Sequence, residues 1–278
     1  MTASTIVETE SSASVTKYAP ERTALMRGLV GFLVFLAIVE AVTRAGIVHP
    51  AYLPPATRIL GQTVLLFGDG GFLSHVAATV EATLLGLALS IGVGAPLGIV
   101  LGSWAWLYRA SRSLVEVIRP IPSVALIPVM ILIFGSGTNM KVAIVVTGAV
   151  WPILFNTIYG VHNVDPVAQD TARSFGYGPV RVLVRVSLPS ALPFMYTGVR
   201  IAAAIALIIT ISAEIIAGSP SGLGSWLMLM RATGRDPALV FAGTVVAGLL
   251  GWAMNVCLRA IQVRFLSWDA SSRKGEVL

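Results

Sequence analysis

The residues able to do covalent or metal chemistry are few and scattered. The three histidines, His49, His75 and His162, lie far apart near the ends of apolar segments, whereas a metal site needs several such ligands to converge. The three lysines, Lys17, Lys141 and Lys274, are not preceded by the GxxxxGK[ST] pattern whose backbone amides cradle phosphates. The single cysteine, Cys257, excludes an intrachain disulfide and a cysteine metal cluster, and its apolar neighbours mark it as a small packing residue. The chain is therefore expected to hold no metal and no cofactor and not to be an enzyme; if ATP powers it, hydrolysis belongs to another subunit. One ionisable residue is out of place. Glu214 falls well inside an apolar segment, where a charge is costly and commonly faces a water-filled cavity. Two readings stay open for it: a residue lining a pathway, or a carboxylate that caps a backbone donor or pairs with Arg231 or Arg235.

The elements that must position these residues are membrane spans. Of 278 residues 56% are hydrophobic and only 12% charged, against about 25% charged in a soluble domain. The formal charge of +6 comes from basic residues that flank apolar runs, so the partner is a lipid bilayer and not nucleic acid. Residues 1–24, rich in Ser, Thr, Ala and Glu, form an expected disordered tail without the basic start and apolar block of a signal peptide. A hydrophobic body occupies 25–268 and a short tail 269–278. Six spans are expected, at about 28–48, 77–102, an irregular third reaching Gly135, 142–161, 194–217 and 238–261, each near the ~20 residues that cross a hydrocarbon core. Glu40 and Arg44 can pair at i,i+4 near the end of the first. A short helix is expected around 57–67 in the connection that follows it. Glycines 86, 92, 94, 98 and 102 give the second span small surfaces for close helix approach. Trp104, Trp106 and Tyr108 read as an aromatic interface belt. Glu116 and Arg119 precede Pro120, Pro122 and Pro128, which bend the third span; such a helix either lines a pathway or is merely kinked. With both termini on one side, the segments of that side hold 14 of the 19 Lys and Arg, leaving Arg44, Arg58, Lys141, Arg231 and Arg235 opposite. The positive-inside rule makes the first side cytoplasmic.

The longest polar interruption, 165–193, is then a cytoplasmic loop. Asp165 is an N-cap and Pro166 suits the first helical position. Ala168, Thr171, Ala172 and Phe175 recur at helical spacing, and Gly176 can end the helix in the left-handed conformation. A second amphipathic piece, with Val180, Leu183 and Val184 against Arg181 and Arg185, is expected to end at Leu188-Pro189.

This loop resembles the motif EAA, three residues, Gly, nine residues, Ile, one residue, Leu-Pro, found in inner-membrane permease subunits of ABC importers. Asp170-Thr171-Ala172 stands for EAA, Gly176 follows after three residues, and Val186-Ser187-Leu188-Pro189 after nine. Asp for Glu, Thr for Ala and Val for Ile are the departures. LPPATRIL (53–60), RPIPSVALIPVMILIFG (119–135), SGLGSWL (221–227) and LVFAG (239–243) extend the likeness from about 53 to 268, toward the group serving sulfonates, taurine, nitrate and pyrimidine-type compounds. The resemblance implies an all-α polytopic protein of the type I importer class, with six transmembrane helices and a coupling helix between the fourth and fifth. It implies coupling residues Asp170, Thr171, Ala172, Phe175, Gly176, Leu188 and Pro189. It also implies a second permease subunit completing a homodimer, two cytoplasmic ATPase subunits carrying ATP and Mg²⁺, and an extracytoplasmic solute-binding protein. Pro122, Pro128, Glu214 and Ser221, the last in the loop where a binding protein would release its ligand, are candidate substrate-path residues. The same machinery importing a pyrimidine- or riboflavin-type heterocycle is an alternative. An ion-coupled secondary transporter would call for internal repeats, and none is seen. A membrane enzyme lacks its catalytic residues.

Overall fold

Long apolar runs inside a bilayer must satisfy every backbone donor and acceptor internally, and helices do so. The structure, a computed structural model, describes residues 21–265, and these form helices in the order α1 (Glu21–Arg44), α2 (Ala56–Leu66), α3 (Gly70–Ser103), α4 (Ala105–Ile118), a 3₁₀ turn (Ser123–Leu126), α5 (Ile127–Phe134), α6 (Thr138–His162), α7 (Pro166–Ser174), α8 (Pro179–Val182), a π-helical turn (Leu183–Ser187), α9 (Leu188–Ala217), α10 (Leu223–Ala232) and α11 (Pro237–Phe265). The expected tails fall outside the described residues, except that residues 21–24 belong to α1.

Five stretches are long and apolar enough to cross a membrane: α1 from Met26, α3, α6, the continuous run Pro179–Ala217, and α11 to Arg264. The sixth span is a broken one, α4 joined to Ser123–Phe134 with a bend of 72°. Among the described residues the protein is all-α, with six membrane spans when the bent pair is counted as one and a short helix, α7, between the fourth and fifth. The expected bend in the third span is present, but the span begins earlier than expected. Residues 105–118, read from sequence as an interface belt and its flank, are its first helical half.

α3, α6 and α9 form the centre, with α6 between the other two. Lipid supplies no hydrophobic drive for helix association, so close packing has to do it. Gly86, Gly94, Gly98 and Gly102 of α3 meet Val145, Ile153, Thr157 and Val161 of α6; a Cβ on Gly98 would lie 2.5 Å from the Cβ of Thr157. Gly160 of α6 and Gly198 of α9 make equally close approaches across the second interface. Ile144, Val145, Ile153, Ala202 and Ala206 are fully buried between these helices.

The outer elements are attached by fewer, more polar ties. α1 is mostly exposed, and Glu40 anchors it, accepting from Arg44 at 2.6 Å and from the Thr57 amide and hydroxyl at 3.1 and 3.0 Å. Arg58 of α2 pairs with Asp236 beside α11 at 2.8 Å. Phe72 and Trp226 pack edge to face, 4.7 Å between centroids, in a second apolar cluster with Leu66, Leu223 and Val246.

Two local expectations are overturned. Leu188-Pro189 does not end the second amphipathic piece; it opens α9, and the helix runs unbroken through the π turn. Proline in a first turn surrenders an amide that a new helical register leaves free anyway. Cys257 is exposed on α11 instead of packed, because only a narrow face of that helix meets the bundle.

Candidate functional site

The loop that carries α7 is built as its sequence requires. The Asp165 carboxylate accepts from the Val167 amide at 2.8 Å, and Pro166 fills the first helical position. At the other end Gly176 has φ +79°. The Tyr177 amide reaches Ala172 O at 3.1 Å and the Gly176 amide reaches Arg173 O at 2.9 Å. That paired closure is the Schellman geometry, which favours a residue without Cβ at the left-handed position. α7 then packs on α8 and the π turn of its own chain. As a result Ala172, expected on the docking face, is only 9% exposed and belongs to the loop's internal contact. The face left open carries Val167, Thr171 and Phe175, at i, i+4 and i+8, with Phe175 79% exposed. Asp170 lies outside that stripe, paired with Arg173 at 3.0 Å. Beside the stripe runs a groove of about 620 Å³ lined by Gly176, Gly178, Pro179, Val180, Arg181 and Val184. Leu188 is half-buried and Pro189 exposed at the start of α9.

At the far end of α9 lies a buried charge pair. Glu214 Oε1 is 3.1 Å from Lys141 Nζ, and both side chains are 0% exposed. The Thr79 hydroxyl of α3 lies 2.9 Å from both carboxylate oxygens and accepts in turn from the Leu223 amide at 2.7 Å. The Gly224 amide donates to Glu214 Oε2 at 2.9 Å, and Lys141 Nζ also donates to Ser221 O at 2.8 Å. His75 Nδ1 receives the Gly222 amide at 3.1 Å. Gly222 has φ +130°, and a side chain there would run into the Glu214 carboxylate. Residues 221–224 are thus folded tightly over the pair, and α3, α6 and α9 close it from below. Desolvating two charges is offset only when their geometry is good and the remaining donors and acceptors are used, which is the case here. A polar seam continues inward with Thr83 and Thr210, 3.1 Å apart.

Two sequence expectations change at this clasp. Glu214 pairs with Lys141, not with Arg231 or Arg235, because α6 packs directly on α9 whereas those arginines are exposed at and beyond the end of α10. Lys141, counted among the solvent-facing charges opposite the coupling loop, is enclosed. Of the four candidate substrate-path residues, Glu214 and Ser221 come together through Lys141. Pro122 caps the 3₁₀ turn and Pro128 sits in the first turn of α5, in a separate element. Thr79, His75 and Lys141 were missed. The available signal for Lys141 was a lone cation three residues inside a helix whose neighbour in the bundle carries a lone acid.

With the loop and its helices in place, residues 94–267 match the family described as the binding-protein-dependent transport system inner membrane component. The chain belongs to this family. The permease is 29% identical to the taurine transport system permease protein of Escherichia coli K12, over 84% of this chain and 86% of that protein. It is 28% identical to a Bacillus subtilis 168 protein whose name assigns it to aliphatic sulfonates transport as a permease, over 97% of each. Among solved structures, the inward-facing MetNI methionine ABC transporter matches with a TM-score of 0.58 and 21% identity, covering 66% of this chain and 91% of that one. That last likeness is one of fold.

Proposed function

We propose that this permease forms the substrate path of an ATP-driven importer, as a homodimer in the cell inner membrane with both termini cytoplasmic. Two ATPase subunits, which alone bind ATP and Mg²⁺, dock on the loop of α7 and α8; an extracytoplasmic solute-binding protein delivers cargo at the opposite end. The cargo class is a sulfonate such as taurine, nitrate or a related small solute, supported by the names of the relatives. A pyrimidine- or riboflavin-type heterocycle is the alternative cargo. The permease itself performs no catalysis.

The observation that carries this reading is the uncovered stripe of Val167, Thr171 and Phe175, beside a groove of about 620 Å³ to which exposed Val180 and Val184 add further apolar surface. A short helix docks through apolar anchors at such spacing. Asp170, Gly176, Leu188 and Pro189 shape and terminate the docking element, and Ala172 braces it from inside. The test is Phe175→Asp, which leaves the bundle untouched. The expected result is loss of ATPase from the pulled-down complex and loss of hydrolysis stimulated by the binding protein. A Phe175→Asp permease that keeps its ATPase and its transport would refute the docking assignment.

A further inference from the structure

The third span is broken over residues 119–122, where Pro120 and Pro122 prevent the helix from continuing, and Arg119 stands at the break. Its guanidinium lies over the Phe155 ring, 4.7 Å from the centroid. Phe155 is seven residues from the end of α6 at His162, so the ring sits about 10 Å up the helix at ~1.5 Å per residue. Arg119 therefore stands about two helical turns in from the end of α6 at ~5.4 Å per turn, exposed on the face of the bundle that carries Phe155. Against the same ring opens a cleft of about 530 Å³ whose walls include Tyr108, Asn156, Tyr159, His162 and Asn163. Each of these can donate a hydrogen bond, and no carboxylate lines the cleft. The nearest acid in sequence, Glu116, is engaged by Arg112 at 2.7 Å. Arg119 takes part in none of the five ion pairs among the described residues.

A cation within a span is normally matched by an anion, and here the protein places only an aromatic ring under it, with the donors in the cleft on that ring's other neighbours. An arginine fork matches the oxygens of a planar or tetrahedral oxyanion in a bidentate manner. We infer that Arg119 is the anion-recognising residue of the substrate path, engaging the sulfonate or other oxyanion group of the cargo as it passes the break in the third span. The inference rests on the importer reading above.

The experiment uses the complete complex, with its ATPase and binding protein, in proteoliposomes, with taurine, ethanesulfonate, nitrate and neutral uracil as probes. Arg119→Gln should lower uptake of the anion that the unaltered complex carries at least tenfold, while hydrolysis stimulated by the binding protein persists; Arg119→Lys should retain part of the uptake. In a Cys257→Ser background, Arg119→Cys should regain uptake after reaction with an aminoethyl thiosulfonate and not with a sulfonatoethyl one, and cargo should slow both reactions. Should Arg119→Gln fail to assemble, the Arg119→Cys measurements decide. Undiminished anion uptake by Arg119→Gln would overturn the assignment. So would labelling at position 119 that cargo does not slow, which would give Arg119 to lipid headgroups. ATP-dependent uptake of uracil alone would overturn the anion role and leave the importer standing, whereas uptake independent of ATP would remove the importer reading itself.

Discussion

Replacing Lys141 by Met should strongly destabilise the permease. The substitution keeps a long unbranched side chain but removes a cation whose partner, Glu214, stays enclosed. Ser221 O loses its side-chain donor, and Glu214 Oε1 keeps only the Thr79 hydroxyl that it shares with Oε2. Removing one member of a buried pair costs ~3–5 kcal/mol, which at ~2–4 °C per kcal/mol for a chain of this size lowers the unfolding midpoint by roughly 6–20 °C. Glu214→Gln keeps an acceptor for the Gly224 amide and brings a donor of its own toward Ser221 O. Adding it to Lys141→Met should therefore restore much of the lost stability, because the double variant buries a neutral amide and a thioether instead of a lone charge. The assay is thermal unfolding of the purified permease, read by tryptophan fluorescence, for both single variants and the double. Two outcomes would refute the reasoning: a Lys141→Met midpoint within about 2 °C of the unaltered chain, or a double variant less stable than Lys141→Met alone.

Two further outcomes follow from the packing and the charge distribution. Gly98→Ala would gain up to ~1 kcal/mol from helix propensity at an open site, but here the new methyl lies 2.5 Å from Thr157 Cβ and 2.9 Å from Leu154 O; α3 and α6 must part, and thermal inactivation should show a net loss of ~1–3 kcal/mol. For topology, in a Cys257→Ser background, Gly178→Cys should resist membrane-impermeant thiol reagents in intact cells while Thr233→Cys reacts, and labelling of Gly178→Cys from outside would invert the assigned orientation.

Much of this architecture was legible because local chemistry and global fold agree. Asp165, Pro166 and Gly176 specify the two ends of α7, and the glycines of α3 announced a close helix interface. The misreadings share a different cause. Whether Lys141 caps a span or hides inside the bundle depends on which helix packs beside it, and a single sequence does not say that α6 lies against α9. Ala172 was assigned to the docking face from its helical spacing and from the resemblance of Asp170-Thr171-Ala172 to the EAA motif. The same periodicity serves an internal face when the chain folds back, as α8 and the π turn make it do. Leu188-Pro189 was read as a stop because proline interrupts helices, yet the same residue is compatible with a first turn. In each case the residue type was informative and its partner was supplied by tertiary contact.

One helix joins the two candidate sites. From the π turn to Gly218 the chain runs without a break, so the loop proposed to dock an ATPase and the clasp at Glu214 are opposite ends of one rod. Val184 and Ile216, both exposed, are 32 residues apart, or about 48 Å at ~1.5 Å per residue. α9 is also sewn to α6 through Gly160 and Gly198, which resists bending along its length. A displacement imposed at the coupling loop should therefore reach the clasp as movement of a stiff body and not be absorbed within the helix. Spin labels at positions 184 and 216, in complexes diluted with unlabelled permease, should give an intrasubunit distance that stays within about 3 Å of one value with and without nucleotide. A larger change would show that the π turn is a hinge, and that the loop moves independently of the buried pair.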